Sequence, residues 1–223
     1  MLAGLCERDK HAGPDGSYVI ESLYLDGQHL PLYHANEREA PRRVKARVRR
    51  YPGIPGRVFP ELKFRDGDVI RKTRAPLPEE SWTEFVRRGG GPENAQHFSS
   101  LVARLGLRPI VLVRYRREAW MSLWDEYARV SIDFEVACKP ANGWTYEIPG
   151  SWRPVDHPVW TQTQESICVL ELKWADVAPR WMAELVGALD LNRQSFSKYC
   201  YSMRTLGEQH RIDERRSTAR WVS

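Results

Sequence analysis

The stretch "RRVKARVRRY", residues 42–51, alternates with almost no fault. Arg43, Lys45, Arg47 and Arg49 share one parity, and Val44, Ala46 and Val48 share the other until Arg50 breaks the pattern. A strand sends successive side chains to opposite faces, so this stretch predicts a strand with one apolar face and one row of positive charge. Neighbours in that row stand ~7 Å apart, close enough for four like charges to repel unless water, acids or an anion lies between them. For one strand alone, the simplest reading is the solvated side of a sheet. The other strands decide whether the row means more.

The same parity test works elsewhere. In 57–64, Leu62 and Phe64 oppose Glu61 and Lys63, and in 69–74 Lys72 and Arg74 share a side. In 108–122, Tyr115 and Arg117 share a side with Val111 and Val113. In 126–137, Ala128, Val130, Ile132, Phe134 and Val136 oppose Tyr127, Arg129, Ser131, Asp133 and Glu135. In 167–174, Leu170 and Leu172 oppose Glu171 and Lys173. Residues 17–26 form a further strand. Apolar spacing and acidic starts predict helices over 78–91 and 92–106, the second with Leu101, Val102 and Leu105 on one side. Two more helices, over 178–189 and 195–206, close the pattern.

Runs of strands interrupted and finished by helices predict an α+β chain, an antiparallel sheet or barrel with helices outside, and not a repeated βαβ unit. The 223 residues read as a single domain, 1–223, with 204–223 as a solvated tail.

Composition narrows the classes. Lys and Arg number 34 against 29 Asp and Glu, a net charge of +5 that permits an anionic ligand without demanding nucleic acid. The four cysteines show no C-x-x-C and read as reduced thiols of a cytoplasmic protein. No apolar run is long enough to cross a bilayer. The six histidines make no H-x-x-x-H pair, and "RRGGGPEN" lacks the G-K-[ST] of a phosphate-binding loop.

If the polar faces point inward and the apolar faces pack on helices, the sheet curls into a basic tunnel. Buried unpaired cations cost several kcal/mol each, so such a tunnel requires an anionic occupant. A chain of phosphates suits Arg forks and Lys point charges. The few interior carboxylates then read as ligands of a hard divalent cation.

At this point "YVIESLYLD", "VKARVRRY", "ELKF", "RKTR", "VRYRR", "RVSIDFEV", "VLELKW" and "SFSKY" resemble, in order over about 17–203, the VTC (vacuolar transporter chaperone) polyphosphate-polymerase domain of the triphosphate tunnel metalloenzymes. The resemblance implies an antiparallel β-barrel tunnel with helices packed outside. It also implies a nucleoside triphosphate or polyphosphate partner, a divalent metal (Mn2+ or Mg2+), and transfer of a terminal phosphoryl group onto a growing chain. Position by position, it implies that Arg47 and Arg49 grip phosphates, with Lys63, Lys72, Arg117 and Arg129 beside them. Glu171 matches the metal-binding glutamate, and Ser197 and Lys198 match S-K-Y. Lys45, Tyr115, Asp133 and Lys173 become lining residues. Family members carry a strand of alternating Glu and Lys, then a helix, ahead of "YVIESLYLD". Too few residues precede Tyr18 to hold both, so the expected barrel lacks its first strand and has a seam with two unpaired edges.

Two other activities share this tunnel: hydrolysis of triphosphate or polyphosphate, and binding of a polyanion without turnover. Nucleic-acid binding fits least, because the aromatics lie mostly off the basic faces.

Overall fold

The alternating runs pair as antiparallel neighbours throughout the described residues. The computed structural model describes residues 2–88, 92–125, 127–158 and 165–207. The strands are β1 (Cys6–Arg8), β2 (Tyr18–Asp26), β3 (Arg42–Arg50), β4 (Arg57–Asp66), β5 (Val69–Arg74), β6 (Leu77–Pro78), β7 (Arg108–Ser122), β8 (Arg129–Pro140), β9 (Arg153–Pro154) and β10 (Val169–Lys173). The helices are α1 (Pro31–Glu37), α2 (Trp82–Arg88), α3 (Glu93–Leu105), α4 (Arg180–Ala188) and α5, helical over 198–207.

The main path of the sheet is β10-β8-β7-β2-β3-β4-β5, with β1, β6 and β9 attached to β7, β4 and β8. The sheet curls. Glu171 on β10 and Lys63 on β4 are five strand steps apart, ~24 Å if the sheet were flat, yet the Glu171 carboxylate acts on the Lys63 ammonium. It does not close: among the described residues β5 pairs only with β4 along this path, and β10 only with β8. Among the described residues the barrel therefore has the expected seam and two free edges. The short β1 continues the β2 side of β7, pairing Cys6 with Ser122 and Arg8 with Trp120.

The apolar parity of β3 and β4 packs outward. Ala46, Val48, Val58 and Leu62 are buried beneath Trp82 and Val86 of α2 and Phe98, Leu101 and Val102 of α3. Each such Val, Leu or Phe contributes ~1.5–3 kcal/mol by leaving water. Leu105, expected on the same side of α3, is 43% exposed, because Ala95, Phe98, Leu101 and Val102 fill the buried stripe. Pro60 sits inside β4 without breaking the pairing with β3. Its carbonyl accepts from Ala75 N, so the edge that lacks an N–H faces the bend between β5 and β6.

Two expectations need correction. First, the inner face is not polar everywhere. On β2, β7 and β8 it carries Ile20, Val111, Val113, Val136 and Cys138, which pack against Tyr199 of α5. Second, parity does not hold along β8. Opposite Tyr115 the register slips, with Arg114 facing Ala137 and Arg116 facing Phe134, and Glu135 adopts φ 52°. This β-bulge turns Val136 inward although Asp133 also points inward, and Glu135 lies outside beside Arg116. The β8 strand thus runs 129–140, not 126–137.

At the C-terminal end, 204–207 are helical and not part of a tail, while the rest of the expected tail, 208–223, lies outside the described residues. So do 89–91, the expected end of the first helix, and Trp160. The loop that includes Trp144, Tyr146 and Trp152 is packed: Tyr146 is buried, and Trp144 meets Trp82 at 6.0 Å.

Helix α1 was not legible as an apolar stripe, and it is built from the end of β2. Buried Asp26 accepts from Gly27 N (2.7 Å), Leu32 N (2.9 Å) and Tyr33 N (2.7 Å), satisfying donors that a helix start leaves open. Tyr199 O–H donates to the same carboxylate at 2.6 Å, which ties α5 to this corner.

Candidate anion-binding site

The register stacks the inner residues of β3, β4 and β5 into rungs. Arg43 faces Arg65, which faces Ile70. Lys45 faces Lys63, which faces Lys72. Arg47 faces Glu61, which faces Arg74, and Arg49 faces Phe59. Like charges directly opposite on neighbouring strands destabilise a sheet, and the middle rung holds three lysines in a row.

Glu61 is the counterweight. It is 2% exposed, and Arg47 donates to its Oε2 from Nε at 2.8 Å. Arg49 approaches the same oxygen at 3.6 Å, while Arg74 and Lys72 approach Oε1 at 3.5 and 3.7 Å. One carboxylate thus serves four cations. Burial works against its charge, but Arg47, Arg49 and Lys72 outweigh burial and hold its pKa down at about 2. Arg47 also donates to Tyr24 O–H at 3.0 Å. Burial pushes the Tyr24 phenol up, yet Arg47 and Lys45 leave it below its ordinary value.

A second cluster faces this one. Arg117 makes a two-pronged pair with buried Asp133, Nε to Oδ1 at 2.6 Å and Nη2 to Oδ2 at 2.8 Å. Lys198 reaches Oδ2 at 2.6 Å and lies 4.7 Å over the Tyr115 ring. Glu171 pairs through Oε2 with Lys173 at 3.1 Å and Arg117 at 3.5 Å. Ser197 joins the clusters: its Oγ accepts from Lys45 Nζ at 2.8 Å and from Cys200 N at 3.4 Å, so it caps α5 and holds a rung lysine at once.

The structure therefore brings together eleven of the residues singled out in the sequence: Arg47, Arg49, Lys63, Arg117, Lys198, Lys45, Lys72, Tyr115, Lys173, Ser197 and Glu171. Arg129 stands apart. It is exposed, opposite Lys173 at the start of β8, with its guanidinium 5.2 Å over the Tyr127 ring. It does not neutralise Asp133, which Arg117 and Lys198 engage instead. Three residues were missed: Glu61, Arg74 and Tyr24. Arg74 and Glu61 carried the parity signal, and Tyr24 reads from sequence as one more core aromatic.

A family model for the VTC domain matches residues 3–207 of this chain. The chain belongs to the VTC domain family. Among solved structures, this VTC domain is similar to a Bacillus halodurans protein (bh2851) described as a candidate adenylate cyclase. The two share 10% identity at a TM-score of 0.48, over 84% of this chain and 82% of that one. It is also similar to the PH1819 protein of Pyrococcus horikoshii OT3, at 14% identity and a TM-score of 0.36, over 83% and 74%.

The cations of this VTC domain outnumber its inner carboxylates, and their protonation shows the strain. Burial depresses the Lys45 and Lys63 ammonium groups. Burial, then Arg49, Arg47 and Arg74, bring Lys72 down to about 8 against the pull of Glu61. Among the described residues Lys63 has no hydrogen-bond or ion-pair partner, and Arg49 Nε is buried without one. A bound anion needs Lys72 charged, whereas the free site loses that proton above pH 8. Anion affinity is therefore expected to fall as pH rises from 8 to 10, by up to ~10-fold per unit, with proton uptake on binding. Calorimetry of tripolyphosphate binding in buffers of different ionisation heat measures the uptake, and Lys72→Arg should reduce it.

Metal chemistry meets a sparse donor set. Among the described residues no group of three or more His, Cys, Asp or Glu could hold a metal ion. Glu61 and Asp133 are engaged by cations, which leaves Oε1 of half-exposed Glu171 as the accessible carboxylate oxygen. That set fits a hard divalent cation that takes one protein oxygen and the rest from phosphates and water. No helix among the described residues is long and apolar enough to cross a membrane.

Proposed function

We propose that the inner face binds the triphosphate of a nucleotide, or a polyphosphate chain, and passes a terminal phosphoryl group to the oxygen of an acceptor phosphate. The carrying observation is the rung Lys45–Lys63–Lys72, three facing ammonium groups of which Glu61 offsets Lys72 alone at close range and which a polyanion would neutralise together. Arg47, Arg49 and Arg74, already converging on Glu61, turn their remaining N–H groups toward phosphate oxygens. Arg117 and Lys198, fixed by Asp133, hold the chain from the opposite side, while Lys173 and Tyr115 line it. Arg129 meets the chain only where it leaves the site.

A divalent cation, Mn2+ or Mg2+, held by Glu171 and phosphate oxygens would neutralise charge on the transferring group. The bond from the terminal phosphorus to the leaving nucleoside diphosphate breaks as the acceptor oxygen bonds to that phosphorus, so the chain grows by one unit. No side-chain nucleophile is required.

The test is incubation of the protein with ATP and Mn2+, followed by gel separation of polymer and 31P NMR. Long polyphosphate supports the reading, free phosphate alone makes the protein a hydrolase, and tight binding without turnover makes it a polyanion binder. The last reading is favoured by one observation, that Glu61 and Asp133 are both spent on arginines. In the active case, Glu171→Gln should raise the Mn2+ needed for half-maximal turnover by at least the ~10–100-fold that a lost supporting group costs.

A further inference from the structure

The inner row of β3 runs Arg43, Lys45, Arg47, Arg49 and then, one strand position on, Tyr51. Cations give way to an aromatic ring at this end only. Tyr51 meets Phe59 edge-on at 5.7 Å and Tyr18 at 6.2 Å. All three rings are partly exposed, and Tyr18 and Tyr51 rest on the core at their backs. Arginines border them: Arg74 lies 4.0 Å over Phe59, and Arg49 points Nη1 at Tyr51 O–H from 3.5 Å. The other end of the row has no such surface. There Arg43 donates to the carbonyls of Glu39 and Ala40, and Arg65 to that of Gly67.

Three aromatics at strand ends are ordinarily core. These stay partly exposed, and they adjoin the guanidinium groups that end the phosphate row, with Arg74 stacked on Phe59. We infer that Tyr18 and Tyr51, bordered by Phe59 and the Arg74 guanidinium stacked on it, form a stacking platform for the aromatic base of a nucleoside triphosphate. The platform sets the direction of the ligand. The base lies at the Tyr51 end, Arg49 and Arg74 take the phosphates nearest the sugar, and the terminal phosphate points toward Lys45 and Lys63. The inference rests on the inner face being the phosphate site and adds to it a preference for nucleotides over bare phosphate chains. Stacking accepts any base, because every base has a π-face.

The experiment compares two ligands with three phosphates each, ATP and inorganic tripolyphosphate, by calorimetry at fixed salt without metal. Tyr51→Ala is expected to weaken ATP on the order of 10-fold, as loss of a base-stacking ring does, and to leave tripolyphosphate within about twofold. Tyr51→Phe keeps the ring and should keep ATP affinity. Equal loss for both ligands, or no loss for either, overturns the platform while the phosphate site stands. If the wild-type protein binds neither ligand, the phosphate site falls and the platform with it. Should Tyr51→Ala fail to fold by circular dichroism, Tyr18→Ala provides the same comparison with the same outcomes.

Discussion

Replacing Glu61 with Gln is expected to cost about 3–5 kcal/mol of stability, the range for breaking a buried ion pair by removing one partner. The amide keeps the shape and loses the charge. Buried Arg49 and partly buried Arg47 then face each other and Lys72 with no compensating anion. For a chain of this size, thermal unfolding should move down by roughly 6–20 °C. The effect carries a signature that a mere packing defect lacks: tripolyphosphate should restore the Glu61→Gln variant more than it stabilises the wild type, because the ligand supplies the missing negative charge. The pH dependence has a definite sign. Glu61 titrates in the folded chain near 2, below its ordinary 4.5, so its contribution is complete above pH 4.5 and is lost as pH falls toward 2. The gap between variant and wild type should therefore close in acid. An unchanged melting temperature at pH 7 would show that the four cations do not depend on this carboxylate.

The second large effect falls on binding and not on folding. Arg49→Met is expected to weaken tripolyphosphate by roughly 30–100-fold, the cost of a lost charge-assisted contact in a desolvated site. Arg49 is the least satisfied of the buried guanidinium groups. Its Nε has no partner, its distance to Glu61 is 3.6 Å, and Tyr51 O–H stands at 3.5 Å, beyond a good hydrogen bond. An arginine held so loosely by its own protein contributes little to the free fold, so the melting temperature of the variant should hold or rise. Titration calorimetry paired with a thermal melt reads both. A variant that melts much lower while binding normally would assign Arg49 to the scaffold.

Much of this site could be read from alternation. The β3 row, Lys63, and the pair Lys72 and Arg74 lie on one face because a strand has a period of two, and no tertiary information is needed to see it. Where the backbone departs from that period, sequence reasoning fails. The bulge at Glu135 puts Asp133 and Val136 on the same face, and nothing in "SIDFEV" announces a positive φ at a glutamate. Helix α1 escaped because its first turn is organised by Asp26, a residue on the preceding strand, and not by a capping side chain of its own. Tyr24 was invisible for a different reason. Its chemistry comes from Arg47, Lys45 and Lys198, which a fold must first assemble around it. Ser197, matched in the sequence as a site residue, also caps α5, a second role that its position in S-K-Y does not announce.

The rung of facing lysines has a practical corollary for anyone measuring this protein. Ammonium groups crowded so closely are expected to recruit whatever multivalent anion the solution offers, which would make citrate, sulfate or inorganic phosphate in a buffer a competitor. By mass action, a buffer anion at 100 times its own dissociation constant adds about 2.7 kcal/mol to apparent stability and weakens the measured grip on any other ligand about 100-fold by the same relation. Melting temperatures and dissociation constants for this domain thus carry meaning only beside the identity and concentration of the buffer ions, and purification in phosphate would conceal the property that sets the domain apart.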